Sequence, residues 1–344
     1  MQPAIDPVRA PSASTAKEAA AHLAALATPR GALGQLEELA IWLASCQDSC
    51  PPRPPANVRA IVLAGDHGVS THGVSAYPRE VTAAMVRAFH SGVAAVSVLA
   101  AQHDVHLRVL DIGVDADLSD LAGVTEHKVH RGSAPLHLTD ALTADELDLA
   151  WTVGHTIAEQ EIAAGAELLI FGDMGIGNTT PAAALIAAGL GLDADAVTGI
   201  GTGLDEVARQ DKAALIDRAL ARVAERGTDP YERLKALGSA DMAAAVSAMI
   251  TAARAGVPVL LDGLISVAAA TVAEDLAPGT IQWCRAGHRS TELAQSLALA
   301  KLGLTPILDL GMRLGEGSGA VAAVPLVRSA AAVASGTALL ADLG

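Results

Sequence analysis

Aromatic side chains are nearly missing: the 344 residues include two Phe, two Tyr and three Trp. The core must therefore be built from Ala, Leu, Val and Ile. A hydrophobic fraction of 51% fills a sizeable core and excludes disorder over most of the chain. Cysteine is equally scarce. Cys46, Cys50 and Cys284 are an odd, scattered set with neither a disulfide framework nor zinc spacing. Cys46 and Cys50 stand four apart and could touch, but reduced thiols are the expectation. Basic residues are in deficit, 23 Lys and Arg against 38 Asp and Glu, a net charge of −15. That argues against nucleic acid or an anionic membrane as a bulk partner. It leaves room for a small anionic substrate, because a local nest of backbone N–H groups holds phosphate despite the global field.

The N-terminal MQPAIDPVRAPSAST has no apolar run, so no signal peptide is expected. Two Ala-rich stretches, 242–261 and 320–340, imitate membrane spans. The first is broken by Arg254, Gly256 and Pro258, the second by Pro325 and Arg328. Both read as buried segments, and a cytoplasmic protein is expected.

Six short apolar runs, 58–63, 106–110, 167–170, 257–261, 280–284 and 305–308, lack polar alternation. Strands covered on both faces look like this. Helical patterns lie between most of them, which predicts an α/β fold with a doubly wound parallel sheet of about six strands. Each run ends in glycine with a polar or acidic residue close by. Ligands of open α/β sheets bind outside the carboxyl ends of the strands, so one cleft assembled from several loops is expected. The segment 14–50 reads as two helices broken around Thr28-Pro29-Arg30-Gly31, and the prolines of 51–55 as a stiff linker.

The sharpest motif is Gly172-Asp173-Met174-Gly175-Ile176-Gly177-Asn178-Thr179-Thr180, between a strand-like run and a helix-like one. Its glycines let the backbone approach a ligand, and N–H groups at a helix start favour phosphate. Ordinary capping by Thr179 or Thr180 is the plainer alternative. Neither the dinucleotide nor the P-loop pattern is present. Gly201-Thr202-Gly203 is a second glycine-rich turn before a helix carrying Lys212, which is either a phosphate partner or a solvated lysine. In Gly315-Glu316-Gly317-Ser318-Gly319 the glycines clear space around a carboxylate. If desolvated, Glu316 has its pKa pushed up, which suits a general base; a surface-loop glutamate is the alternative. In Ala64-Gly65-Asp66-His67-Gly68, Asp66 is expected to accept turn amides and orient His67, with no metal. Val81, Thr82 and Met85 form a stripe that either packs in the core or lines a pocket.

Together AGDHGVSTHGVSAYPREVT (64–82), GDMGIGNTTPAAAL (172–185), GTGLD (201–205), LLDGLISVAAA (260–270), AGHRSTE (286–292) and LDLGMRLGEGSGA (308–320) resemble the nicotinate-nucleotide–dimethylbenzimidazole phosphoribosyltransferase family, in its order and over most of the chain. The resemblance implies a three-layer Rossmann-like domain over 56–310. It also implies a small helical domain drawn from both chain ends, 1–55 and 311–344, and a homodimer. It implies transfer of phosphoribose from nicotinate mononucleotide to a benzimidazole, without a cofactor. Glu316 falls on the family's catalytic glutamate, and Lys212 on a lysine near the substrate phosphate. Asp173 stands where the family commonly has glutamate, one methylene longer. Gly175, Ile176, Gly177, Asn178 and Thr179 with Gly201 and Thr202 correspond to a phosphate nest, and Gly263 and Ser290 to loops beside the nucleotide. Tyr77, Pro78, Val81, Thr82, Met85 and Leu314 would wall the base pocket. Val96-Ser97-Val98 replaces an Ala-Ile-Asn run. No paired-acid strand end for ribose and magnesium is present, and a donor with a pyridinium leaving group needs none. A different acceptor base, or a nucleotide-binding protein without turnover, are the rival readings.

Overall fold

The computed structural model describes residues 5–201, 203–226 and 228–343. In chain order the elements begin with α1 (Ala13–Ala24), α2 (Gln35–Gln47), β1 (Val58–Gly65), α3 (Val81–His90), α4 (Ala95–Gln102), β2 (Val105–Gly113), α5 (Ala144–Ala163) and β3 (Leu168–Met174). There follow α6 (Thr179–Leu190), α7 (Ala194–Val197), α8 (Glu206–Val223), α9 (Pro230–Leu237), α10 (Ala240–Arg254), β4 (Val259–Leu261), α11 (Leu264–Leu276), β5 (Cys284–Ala286), α12 (Leu293–Leu302) and α13 (Ser318–Gly336).

The strands form one parallel sheet in the order β2-β1-β3-β4-β5. Every residue of β1 except Arg59 is buried, so helices cover both faces, as a parallel sheet requires. The order reverses between β1 and β3, the crevice where such sheets take ligands. Register sets Leu63 beside Asp173 and Ala64 beside Met174, at the carboxyl ends of both strands.

The sheet has five strands among the described residues, one fewer than the sequence predicts. The run at 305–308 contributes only a bridge between Leu308 and His288. Pro306 lacks the N–H that would extend the ladder there. The run at 280–284 is also shorter than predicted, because residues 280–283 form a 3₁₀ turn. The Glu274 carboxylate accepts the Gly279 and Ile281 amides, and the Thr280 hydroxyl donates to the Ala277 carbonyl. The strand starts where that network ends.

Both chain ends meet. Leu26 bridges to Leu339 in antiparallel fashion, and α13 packs on α2 and α4. Segments 81–102 and 318–336 are long and apolar enough to cross a bilayer by length and composition. The first is two helices, α3 and α4, parted at Gly92. The second is α13, whose Arg328 guanidinium donates to the carbonyls of Pro55, Ala56, His103 and Asp104. Those are the ends of the segments feeding β1 and β2, so Arg328 ties the C-terminal helix to the sheet. The 242–261 stretch is α10, a turn and β4, nearly all buried.

Candidate active site

The loops after β3, β4 and β5, with residues 313–315, line a cleft of about 480 Å³, its open mouth included. Its walls are Asp173, Asn178, Thr179, Gly201, Gly263, Leu264, Ile265, Ser290, Glu292, Arg313, Leu314 and Gly315. The sequence motifs at 172–180, 201, 263, 290 and 314–315 thus converge in space.

Glu316 stands beside this cleft in an unusual state. Its φ is +67°, a left-handed conformation that costs a non-glycine residue about 1–2 kcal/mol. The residue is 4% exposed and Oε2 has no partner. Burial raises its pKa from 4.5 to about 7, the Asp262 charge adds to the rise, and a hydrogen bond from the Val96 amide opposes it. Val96 lies in the first turn of α4, so the carboxyl group sits between Asp173 and that helix start.

Close backbone contact permits this placement. A Cβ on Gly172 would lie 2.4 Å from the Glu316 carbonyl oxygen, so only glycine at this β3 position lets the 315–317 turn lie on the sheet. Gly172→Ala is expected to destabilise the protein by about 1–3 kcal/mol, as overpacking does. Urea unfolding measures it, and unchanged stability would contradict the tight seat.

Asp262, at the end of β4, holds the other side of the same turn. Its Oδ2 accepts the Gly317 amide at 3.0 Å and its Oδ1 the Ala320 amide at 2.9 Å. His288 lies 3.5 Å from Asp262 through Nε2. Buried Gln295 accepts the Ser290 amide and donates to the carbonyls of Asp262 and His288. The loops after β4 and β5 and the start of α13 are therefore one hydrogen-bonded unit.

Asp173 is buried, and its pKa is raised well above the usual carboxylate range by burial and by the charges of Asp262, Asp241 and Glu316. The Asn178 amide donates to Oδ2 at 2.7 Å, while Oδ1 has no partner. Neighbouring buried carboxyls do not all ionise together. A neutral Asp173 leaves Glu316 free to take the charge.

Lys212 is 1% exposed and donates to Thr179 Oγ1 at 2.8 Å. Burial lowers its pKa from 10.5 to about 8, against the pull of Glu292. An ammonium group packed beside a helix start and bonded to Thr179 of the cleft wall is suited to a polyanion.

The remaining motif residues take other positions. Gly175, Ile176 and Gly177 sit behind the cleft wall. A Cβ on Gly175 would lie 2.0 Å from the Gly65 carbonyl oxygen, and Gly177 faces Ser70 and Val74. The Ile176 amide donates to Thr82 Oγ1, and the Asn178 and Thr180 amides close onto the carbonyls of Gly175 and Gly177. Thr202 lies outside the described residues. On the α3 side, Tyr77 and Pro78 are exposed, Val81 and Met85 half-buried and Thr82 buried. None of these five lines the cleft.

Asp66 differs from expectation. Its Oδ2 accepts the amide of Asp115, in the loop after β2, rather than an amide of its own turn. Among the described residues no group of three or more His, Cys, Asp or Glu is arranged to hold a metal ion. Sequence reasoning did not single out Asp262, Glu292 or Arg313 as site residues. For Asp262 the available signal was its position directly after an apolar strand.

A parallel sheet whose carboxyl-end loops gather a buried lysine, a helix start and a desolvated carboxyl group defines a nucleotide-handling glycosyl transferase. The family model described as Phosphoribosyltransferase (DBI_PRT) matches residues 8–344, and the chain belongs to this family. It is 49% identical over 337 residues to a nicotinate-nucleotide–dimethylbenzimidazole phosphoribosyltransferase of Mycolicibacterium paratuberculosis, covering 98% of this chain and 96% of the relative. Against the protein of that name from Mycobacterium tuberculosis it is 50% identical over 339 residues, 98% and 93% of the two chains. The crystal structure of CobT from Thermus thermophilus superposes with a TM-score of 0.92 at 42% identity, covering 95% of this chain and 98% of that one.

Proposed function

We infer that this protein transfers phosphoribose from nicotinate mononucleotide to 5,6-dimethylbenzimidazole, giving α-ribazole 5′-phosphate and nicotinate, in the synthesis of the cobalamin lower ligand. The observation that carries the reading is Glu316: buried, left-handed and shifted to about 7, between the cleft and the start of α4. Lys212, Thr179 and Gly201 bind the 5′-phosphate. Asp173, Gly263 and Ser290 lie beside the sugar. The benzimidazole enters from the side of α3 and Leu314. One ring nitrogen attacks C1′ while Glu316 takes the proton from the other, so the base acts as the bond forms. The C1′–N bond to nicotinate breaks with its electron pair returning to the ring, which neutralises the pyridinium nitrogen. Attack opposite the leaving group inverts the anomeric centre. The negative charge on Glu316 as attack begins favours the positive charge developing on the sugar.

The reading extends to a cytoplasmic homodimer. The α3–α4 corner leaves Val93 and Val98 72% and 58% exposed, apolar area suited to a second copy. Sedimentation at micromolar concentration tests the dimer, and a monomer there rules it out. For the reaction, purified protein is incubated with both substrates in EDTA and the products separated with mass detection. Equal amounts of ribazole phosphate and nicotinate are expected. Absence of product with the nucleotide bound points to another acceptor base.

A further inference from the structure

Glu316 pays the energetic penalty of a left-handed conformation, and something must hold it there against relaxation. Gly172 supplies a floor without a bond. Among the described residues, the side chain that grips the backbone following Glu316 from another strand end is Asp262. It accepts the amides of Gly317 and Ala320, 55 and 58 residues further along the chain. Gly317 is the N-cap of α13 and has no capping side chain of its own; Ala320 lies in its first turn. A carboxylate here meets the unsatisfied N–H groups and the positive end of a 19-residue helix. Asp262 is itself fully buried, and its loop is tied by Gln295 to the loop after β5.

We propose that Asp262 is a positioning residue for the base: from the end of β4 it caps α13 and so fixes the turn that presents Glu316. The proposal rests on Glu316 being the base. The titratable groups around Glu316 are Asp173 at the end of β3, Asp262 after β4, Asp241 on α10 behind Asp173, and His288 after β5. Val96 on α4 offers only its amide. Of these, Asp173 interacts with Glu316 and is the one left neutral, and the Asp262 charge raises the Glu316 pKa. The Asp262 carboxylate therefore has two separable effects on the base, geometric through two amides and electrostatic through its charge.

The test uses Asp262→Asn and Asp262→Glu in the full chain. The Asn variant keeps an acceptor for one amide and removes the charge. It is expected to lower kcat about tenfold, as loss of a charge-assisted cap does, and to leave the Kd for nicotinate mononucleotide unchanged. It also moves the acid limb of kcat/KM to lower pH, because Glu316 loses a neighbouring negative charge. The Glu variant keeps the charge and displaces the oxygens by a methylene. It should lower kcat while the limb stays near the wild-type position, and it serves alone if the Asn protein does not fold. Wild-type kcat in either folded variant, or a fall in kcat matched by loss of nucleotide binding, overturns the proposal. Failure of the base assignment shows separately, as an active Glu316→Gln protein with Asp262 intact.

Discussion

Glu316→Gln lowers kcat about 10²–10⁴-fold, the usual effect of losing a general base, and leaves the KM for nicotinate mononucleotide near the wild-type value. Glutamine fills the same volume and still accepts the Val96 amide, so the turn survives and only proton acceptance is lost. The pH dependence has a definite sign. Glu316 must be ionised to act, and its pKa is raised to about 7, so kcat/KM for the wild type rises with pH through about 7 and that limb is absent in the variant. Stability runs the other way. The folded pKa lies above the unfolded 4.5, so the folded state binds more protons between about 4.5 and 7, and the contribution of Glu316 to stability falls as pH rises through that window. At pH 8 the charge is carried at a cost in the free protein, and Glu316→Gln is expected to raise the urea midpoint there. Steady-state kinetics and unfolding on the two proteins measure both. A variant with wild-type kcat and weakened nucleotide binding would remove Glu316 from the proton-transfer role.

The parts of this site legible in the sequence are those governed by local rules. Glycine around a lone acid, as in 315–319, and a glycine-rich strand-to-helix turn, as in 172–180, are costly patterns that ordinary loops do not need. The convergence of strand-end loops followed from the α/β rhythm of the apolar runs. Long-range partners were not legible. The amide acceptors of α13 stand on β4, and no local pattern connects Asp262 to Gly317. The buried Lys212 of α8 and a solvated lysine read alike until α8 is set against Thr179. The strand count failed for a local reason that was present all along, Pro306 in the sixth run, while the Glu274 side chain that turns 280–283 into a 3₁₀ segment shortened the fifth. The turn around Asp66 misled because its acceptor oxygen serves Asp115, 49 residues away.

Lys212→Ala is the counterpart of the base variant, with its effect expected in KM rather than kcat. The phosphate is bound equally in the ground and transition states, so its partner contributes uniform binding. Loss of a charge-assisted contact of about 1.5–3 kcal/mol raises the KM for nicotinate mononucleotide roughly 10–100-fold, with kcat within a small factor of wild type. Burial makes this lysine sensitive to pH. In the free protein its pKa is lowered from 10.5 to about 8. The unfolded chain therefore binds more protons across that window, and Lys212 costs stability below about 8, a cost relieved as pH rises toward 10.5. Nucleotide affinity should accordingly fall above pH 8 in the wild type, where the ammonium loses its proton. A phosphate dianion favours the charged form, so binding near pH 8.5 takes up a proton. Titration calorimetry in two buffers of different ionisation enthalpy detects that uptake, and it should vanish in Lys212→Ala. If the variant keeps its KM and loses kcat instead, Lys212 interacts with charge that develops only during transfer, and its place at the bound phosphate is wrong.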